Sequence, residues 1–260
     1  MKSTHEARPA AAWTATDLQS NPHDAADKAR RVESMFTAIA PRYDLNNRLH
    51  SLWRDQAWRR ATVALAAITP TDDVIDMACG TGDLTELLAQ AGPRSIVGMD
   101  FTEAMLGVAR RKATRRPMGS QPIEYRQGDA MNIDLPADSC DVVTIAFGIR
   151  NVDDPGGAAA EFARVLRPGG RLLVLEFSTP ANPLMRFLNA CYTRHVMPLT
   201  AGLLAGDRSG AYRYLPRSVS TFADPVAMAD MLREVGFTIA GQHPLTFGTC
   251  TITVAHTSAV

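Results

Sequence analysis

The 260-residue chain predicts an α/β fold in which helices cover both faces of a mostly parallel sheet. Three observations carry that expectation. Residues 74–85, V-I-D-M-A-C-G-T-G-D-L-T, run from a short apolar segment through Gly80 and Gly82 straight into a helical pattern. Beyond them, short apolar runs alternate with helical periods as far as Phe177, the order expected of right-handed crossovers between parallel strands. The chain then closes with two apolar runs joined by a short segment, the spacing of an antiparallel hairpin. The total is seven strands.

Composition narrows the class. A hydrophobic content of 46% supports one large core, and the length fits one domain with additions. A formal net charge of +0 removes an overall electrostatic case for nucleic acid. No run approaches the roughly 18 apolar residues of a membrane span. Cys79, Cys140, Cys191 and Cys250 are scattered and form no CxxC pair. That argues against a metal site or a disulfide framework and for a reducing cytoplasm.

In chain order, residues 1–26 are rich in Ala, Thr, Pro, Asp and Asn without any period, and are expected to be a disordered tail. Acidic residues and the lack of an apolar h-region make it a poor signal or transit peptide. The single domain then runs over 27–260. Its first part, 27–70, reads as a helical cap. Val32, Met35, Phe36 and Ile39 share a helical face that Pro41 stops. Residues 42–47 are polar and turn-prone. A second helix, about 49–68, interleaves Trp53 and Trp58 with Arg54, Arg59 and Arg60. Two readings apply to it: a packed amphipathic helix with solvated arginines, or a Trp/Arg surface that touches a membrane.

The remaining strands are expected at 95–99, 123–127, 141–147, 171–177, 237–241 and 249–255. Helices are expected from Asp83, at 104–112, at 158–166 and at 225–235, with Pro168-Gly169-Gly170 as a turn. The basic end of the helix over 104–112 complements its dipole. At 181–220 the alternation lapses into an inserted helical segment, a candidate lid that includes an apolar stretch at 199–204.

Ligands of such sheets bind at the carboxyl ends of the strands, so the loops at 78–83, 100–102, 128–131 and 147–152 should meet there. Gly80 and Gly82 let backbone N–H groups approach a ligand. The third glycine of a dinucleotide fingerprint is replaced by Thr85, which disfavours a nicotinamide dinucleotide while the turn still suits an adenosine-bearing cofactor. Asp100 follows Gly80 at the spacing of a ribose-binding acid, and it is equally placed to cap a helix. Asp129 and the Ala130 N–H form a candidate pair for an adenine edge, although Gly-Asp is also ordinary turn chemistry.

The stretches V-E-S-M-F-T-A-I-A-P-R-Y-D-L-N-N (32–47), D-M-A-C-G-T-G-D-L-T (76–85), F-G-I-R-N-V (147–152), R-V-L-R-P-G-G-R-L-L-V-L-E-F-S (164–178) and Y-R-Y-L-P-R-S (212–218) resemble the UbiE/MenG quinone C-methyltransferases. These belong to the Rossmann-like class I methyltransferases. The resemblance implies S-adenosylmethionine as cofactor, held by Thr81, Asp100, Asp129 and Ala130 beside the glycine turn. It implies methyl transfer to a ring carbon of a polyprenylated hydroquinone. Arg150 would then be the cation that eases loss of a hydroquinol proton, with a structural fork bonding backbone carbonyls as the competing account. Asn151 would hold the second ring oxygen. Tyr43 and Asp44 would close over the cofactor, and Tyr212 and Tyr214 would line the quinone pocket. His195 is either a proton acceptor or an ordinary satisfied histidine.

Where some ubiquinone-pathway relatives have serine, this chain has Ala146. With L-P-R-S (215–218) that leans toward demethylmenaquinol over a benzoquinol. Cys79 reads as a small packing residue. A bilayer-resident substrate tail implies peripheral, transient contact with a membrane through residues 53–60 and 184–204, and no nucleic-acid partner. Oligomeric state is left open, a homodimer included. Two other classes stay open at this point: a methyltransferase for a soluble small molecule, and a non-catalytic scaffold that keeps the fold.

Overall fold

The computed structural model describes residues 11–193 and 210–259. The strands are β1 (Asp73–Met77), β2 (Ser95–Asp100), β3 (Glu124–Gln127), β4 (Cys140–Ala146), β5 (Leu166–Phe177), β6 (Thr238–Leu245) and β7 (Cys250–His256). They form one sheet in the order β3-β2-β1-β4-β5-β7-β6. Strands β1 to β5 pair in parallel, and β7 runs antiparallel to both β5 and β6. The path leaves β1 outward to β2 and β3, then returns to β4 on the other side of β1. That reversal opens a crevice at the carboxyl ends of β1 and β4.

Around the sheet lie α1 (Lys28–Ile39), α2 (Tyr43–His50), α3 (Arg54–Ala66), α4 (Asp83–Gln90), α5 (Glu103–Ala113), α6 (Pro155–Val165), α7 (Pro183–Cys191), α8 (Ala211–Thr221) and α9 (Pro225–Glu234). The unbroken apolar run of β5 follows from burial on both faces. Leu172 and Val174 join Phe162 of α6 and Leu232 of α9, whereas Leu173 and Leu175 join Trp58 of α3 and Leu88 of α4. Each such side chain, fully buried, contributes about 1.5–3 kcal/mol. Three helices begin alike, with an Asx side chain capping the first turn and proline at its first position. Asp154 accepts from the Gly157 N–H at 3.0 Å, Asn182 from Leu184 at 2.9 Å and Asp224 from Ala227 at 2.9 Å.

The structure departs from the sequence reading in five places. Residues 11–26 pack on the domain through two short 3-10 turns, and Trp13 is only 1% exposed. A chain without hydrophobic period still folds there because one large aromatic finds a partner, Tyr214, far along the sequence. Residues 43–50 are helical, not a turn. The helix expected over 49–68 is broken at Leu52 and Trp53, both at positive φ (51° and 62°), which redirects α3 against the sheet. Strand β5 starts at Leu166, and the turn 168–170 is a bulge within it, since Cys140 pairs with Leu166 and Val142 with Arg171. Finally, β6 extends to Leu245 with an irregularity between Ile239 and Gly241. His195, the stretch 199–204 and the side chain of Tyr212 lie outside the described residues.

Candidate active site

At the mouth of the crevice lies an open cleft. Its floor is Met77, Ala78 and Gly80 after β1, Asp100, Phe101 and Thr102 after β2, Gly128 to Met131 after β3, and Ala146, Phe147 and Gly148 after β4. Its roof is Ala29, Val32 and Phe36 of α1 and Tyr43 of α2. The cap face that reads in sequence as core therefore also walls the site.

Asp100 is the pivot of the floor. Its Oδ2 accepts the Gly80 N–H at 2.8 Å and its Oδ1 accepts the Thr102 N–H at 2.8 Å, an Asx turn leading into α5, whose N-cap is Thr102 rather than Asp100. A carboxylate has about four acceptor positions, so room remains for two ligand hydroxyls. Burial pushes the Asp100 carboxyl up, and the Thr102 and Gly80 amides oppose that shift. A β-carbon at Gly80 would find nothing nearer than Tyr43 Cε1 at 3.9 Å, which leaves an open cradle above the loop. Asp129 accepts the Met131 N–H on Oδ1 at 2.9 Å, and its Oδ2 has no partner among the described residues. Asp100, Asp129 and Asp153 line the cleft, and no Lys or Arg does among the described residues. Such a wall suits a cationic, ribose-bearing ligand.

Two predicted contacts lie behind the wall. Thr81 is 3% exposed and its hydroxyl donates to Asp44. Lys112 bridges Asp44, at 3.0 Å, and Asp83, while Arg48 reaches Asp83 at 3.1 Å. These bonds tie α2 down over the glycine loop. Gly82, at φ 84°, packs under Tyr125, whose hydroxyl an added β-carbon would meet at 2.4 Å. Its role is close packing. Thr85, in the third glycine position, is fully buried and donates to Asp76 at 2.6 Å. Asp76 also accepts from Thr144 at 2.7 Å, and burial raises its carboxyl to about 6.

On the β4 side, Asn151 lines the cleft and Arg150 does not. Arg150 is 5% exposed, and its Nη1 donates to Phe147 O at 2.7 Å and to Glu176 Oε1 at 2.6 Å, beside the Phe177 ring. Of the two accounts open in the sequence, this geometry is that of the structural fork. A free cation beside the ring is not what the fold presents, because Glu176 compensates the charge. Asn151 donates from Nδ2 to Phe147 O at 3.2 Å and accepts from Tyr214 Oη at 2.9 Å. Tyr214 is 1% exposed and sits one bond behind the wall, and burial raises its phenol to about 12.

The loops expected at 100–102 and 128–131 do bring Thr102 and Met131 to the cleft, whereas Met105 beside them and the burial of Arg59 went unread. Read as solvated, Arg59 is 6% exposed and lies over the Phe147 ring at 5.4 Å. Only the alternation of Trp and Arg in α3 hinted at a buried cation. Cys79 is buried beside Leu106, Ala109 and Tyr125 with its thiol pushed well up by burial, which suits a packing residue.

The fold thus sets a carboxylate-lined cleft at the switch point of its sheet order. Solved structures share the fold. Magnesium protoporphyrin IX methyltransferase of Synechocystis PCC 6803 with bound SAM superposes with a TM-score of 0.61 at 18% identity, covering 90% of this chain and 99% of that one. A SAM-dependent methyltransferase from Aquifex aeolicus gives 0.56 at 15% identity, covering 78% and 89%. Residues 24–257 match the ubiE/COQ5 methyltransferase family, and the chain belongs to it. Among similar curated proteins, demethylmenaquinone methyltransferase of Deinococcus radiodurans is 44% identical, covering 86% of this chain and 92% of its own length. That of Thermus thermophilus is 43% identical over 85% and 98%. The ubiquinone/menaquinone biosynthesis C-methyltransferase UbiE of Syntrophotalea carbinolica is 44% identical over 84% and 90%.

Proposed function

We propose that this chain methylates the ring carbon of a polyprenylated hydroquinone, with demethylmenaquinol as the acceptor, while resting on a membrane surface. The observation that carries this is the two-sided cleft, in which a carboxylate-lined floor for the cofactor faces an apolar roof of Ala29, Val32 and Phe36 that suits a flat aromatic ring. When bound, S-adenosylmethionine supplies a methyl group already activated on a positive sulfonium. Asp100 would hold its ribose, and Asp129 with Ala130 the adenine edge. What remains for the protein is alignment and control of charge. The Asn151 amide keeps one N–H beyond its bond to Phe147 O, and that N–H can donate to a ring oxygen as its proton leaves. Tyr43 closes the cleft from the cap.

The membrane reading draws on three neighbouring apolar elements. Leu52 (74% exposed) and Trp53 form the α2–α3 turn, Leu184, Phe187 and Leu188 project from α7, and Phe247 (77% exposed) tips the β6–β7 turn. Tyr192, just past α7, donates to His50 O at 2.8 Å, and a β-carbon on Gly248 would sit 3.5 Å from Pro180, so the three adjoin one another. Arg54, Arg60 and Arg186 are exposed among them, a mix of apolar and basic groups that favours an anionic interface. No helix among the described residues is long and apolar enough to cross a membrane.

Two measurements test the reading. Incubation with methyl-labelled S-adenosylmethionine and the reduced naphthoquinol or benzoquinol precursor should label the naphthoquinol. Label only in the benzoquinol, or only in water-soluble phenols, would displace it. Flotation with anionic liposomes should carry the protein upward, and a Leu52→Glu/Phe247→Glu variant should stay behind. Equal flotation of both proteins would remove the proposed surface.

A further inference from the structure

Residues 11–23 precede the family match, which begins at residue 24, yet they reach the acceptor side of the cleft. Trp13 stacks on Tyr214 with ring centroids 4.8 Å apart at 22°. The Arg31 guanidinium lies on the same indole at 5.3 Å and also donates to Ala12 O at 3.2 Å. Beyond Trp13 the chain follows α8, with His23 Nε2 2.9 Å from Ser218 O. Entry of this strap depends on Gly210, which holds φ 84° and where a β-carbon would come within 2.1 Å of Trp13 O. The strap ends at α1, where Lys28, 2% exposed, donates to Val152 O at 2.6 Å, next to Asn151.

The geometry points to a positioning role for this strap: Trp13 fixes the Tyr214 ring so that its hydroxyl orients the Asn151 amide toward the acceptor. The inference rests on the quinol reading of the cleft given above. Tyr214 Oη donates to Asn151 Oδ1 while Asn151 Nδ2 donates to Phe147 O, so the amide has one satisfied orientation. Turning it over would set its oxygen against the Phe147 carbonyl. With the stack gone, Tyr214 regains its ring torsions and the amide loses one of its two anchors. The proposed cofactor contacts, Asp100 at the end of β2 and Asp129 on the loop after β3, are untouched by the strap.

The test uses the full chain with Trp13→Ala, Trp13→Phe, Tyr214→Phe and the Trp13→Ala/Tyr214→Phe double variant. Tyr214→Phe keeps the stack and removes only the hydroxyl, so it separates positioning from loss of packing. Expected is a fall of about three- to tenfold in kcat/KM for the reduced quinol in Trp13→Ala and Tyr214→Phe, the scale of one hydrogen bond. The double variant should be no worse than Trp13→Ala, since both act through one path. Trp13→Phe should recover most of the loss, and the S-adenosylmethionine Kd by calorimetry should stay unchanged throughout. Unchanged quinol kinetics, additive losses in the double variant, or an equal weakening of cofactor binding would each overturn the proposal. Should the wild type bind cofactor yet methylate no quinol, the acceptor reading falls separately. Hydrogen exchange at the Asn151 and Val152 amides then decides the strap, with faster exchange in Trp13→Ala supporting it and no change overturning it.

Discussion

Arg150→Ala removes a guanidinium that serves three groups at once: the Phe147 carbonyl, the Glu176 carboxylate and the Phe177 ring. Glu176 would remain, with its Oε2 already without a partner and only the Phe177 N–H, at 2.8 Å, on Oε1. Breaking a buried pair by deleting one member costs about 3–5 kcal/mol, because the surviving charge is uncompensated. That is a large part of the roughly 5–15 kcal/mol by which domains are stable. The assay is urea unfolding followed by far-ultraviolet circular dichroism, for Arg150→Ala and for Arg150→Met/Glu176→Gln. The single variant should lose stability on the scale given, and the double variant should recover most of it, because neither replacement leaves a buried charge. The reasoning is refuted if Arg150→Ala keeps wild-type stability within about 1 kcal/mol while turnover collapses. The guanidinium would then act on the acceptor directly.

Asp100→Ala should weaken S-adenosylmethionine binding by about ten- to a hundredfold in calorimetry, the scale of a lost charged hydrogen bond, and undiminished affinity would contradict the ribose role. Gly82→Ala and Gly119→Ala share φ 84°, yet only the first drives a β-carbon into the Tyr125 hydroxyl. Gly119→Ala should therefore cost only the left-handed strain of about 1–2 kcal/mol, and Gly82→Ala clearly more, both read from thermal midpoints. Asp76, with its carboxyl raised to about 6, holds its proton in the folded state where the unfolded chain, near 3.8, has lost it. Its contribution is therefore present below about pH 4 and is lost as pH rises through 6, by about 3 kcal/mol in all. Asp76→Asn should flatten that part of the stability profile, and a profile identical to wild type would show that Asp76 does not titrate there.

Much of the sheet and the lining contributed by β1 to β3 were legible because local chemistry encodes them. Strands β1, β2 and β4 are short apolar runs, with Asp100 closing β2 and Gly80 and Gly148 following within three residues of β1 and β4. Asp154-Pro155, Asn182-Pro183 and Asp224-Pro225 announce helix starts by their own side chains. Gly80, Asp100 and Asp129 meet at the cleft because a strand end followed by a turn or helix start is a local signal with a fixed spatial meaning in a parallel sheet. Boundaries failed where pairing outvoted pattern. Leu166 joins β5 because Cys140 is there to pair with it, which no window of sequence around Pro168 discloses.

The side of the cleft around Asn151 resisted reading for a different reason: its geometry is made by contacts between distant segments. Arg150 has the same sequence neighbours whether it faces a substrate or Glu176, and only the register of β5, which sets Glu176 inward at the end of the strand, selects the second. Nothing in the sequence pairs Trp13 with Tyr214, and only the placement of α8 brings them together. The crevice itself is opened by Ala78 and Phe147, both left-handed (φ 52° and 58°) without being glycine. The Cys79 N–H to Met99 O bond and the Phe147 N–H to Leu175 O bond, 2.9 and 2.8 Å, hold these strand ends outward. Gly148 lets them do so, since a β-carbon there would meet Ala78 Cβ at 2.4 Å. Strain of about 1–3 kcal/mol at such residues persists only where the surrounding structure over-determines it. Here the hydrogen bonds of β2 and β5 supply that constraint, so the shape of the catalytic mouth is stored in the sheet pairing rather than in the residues that line it.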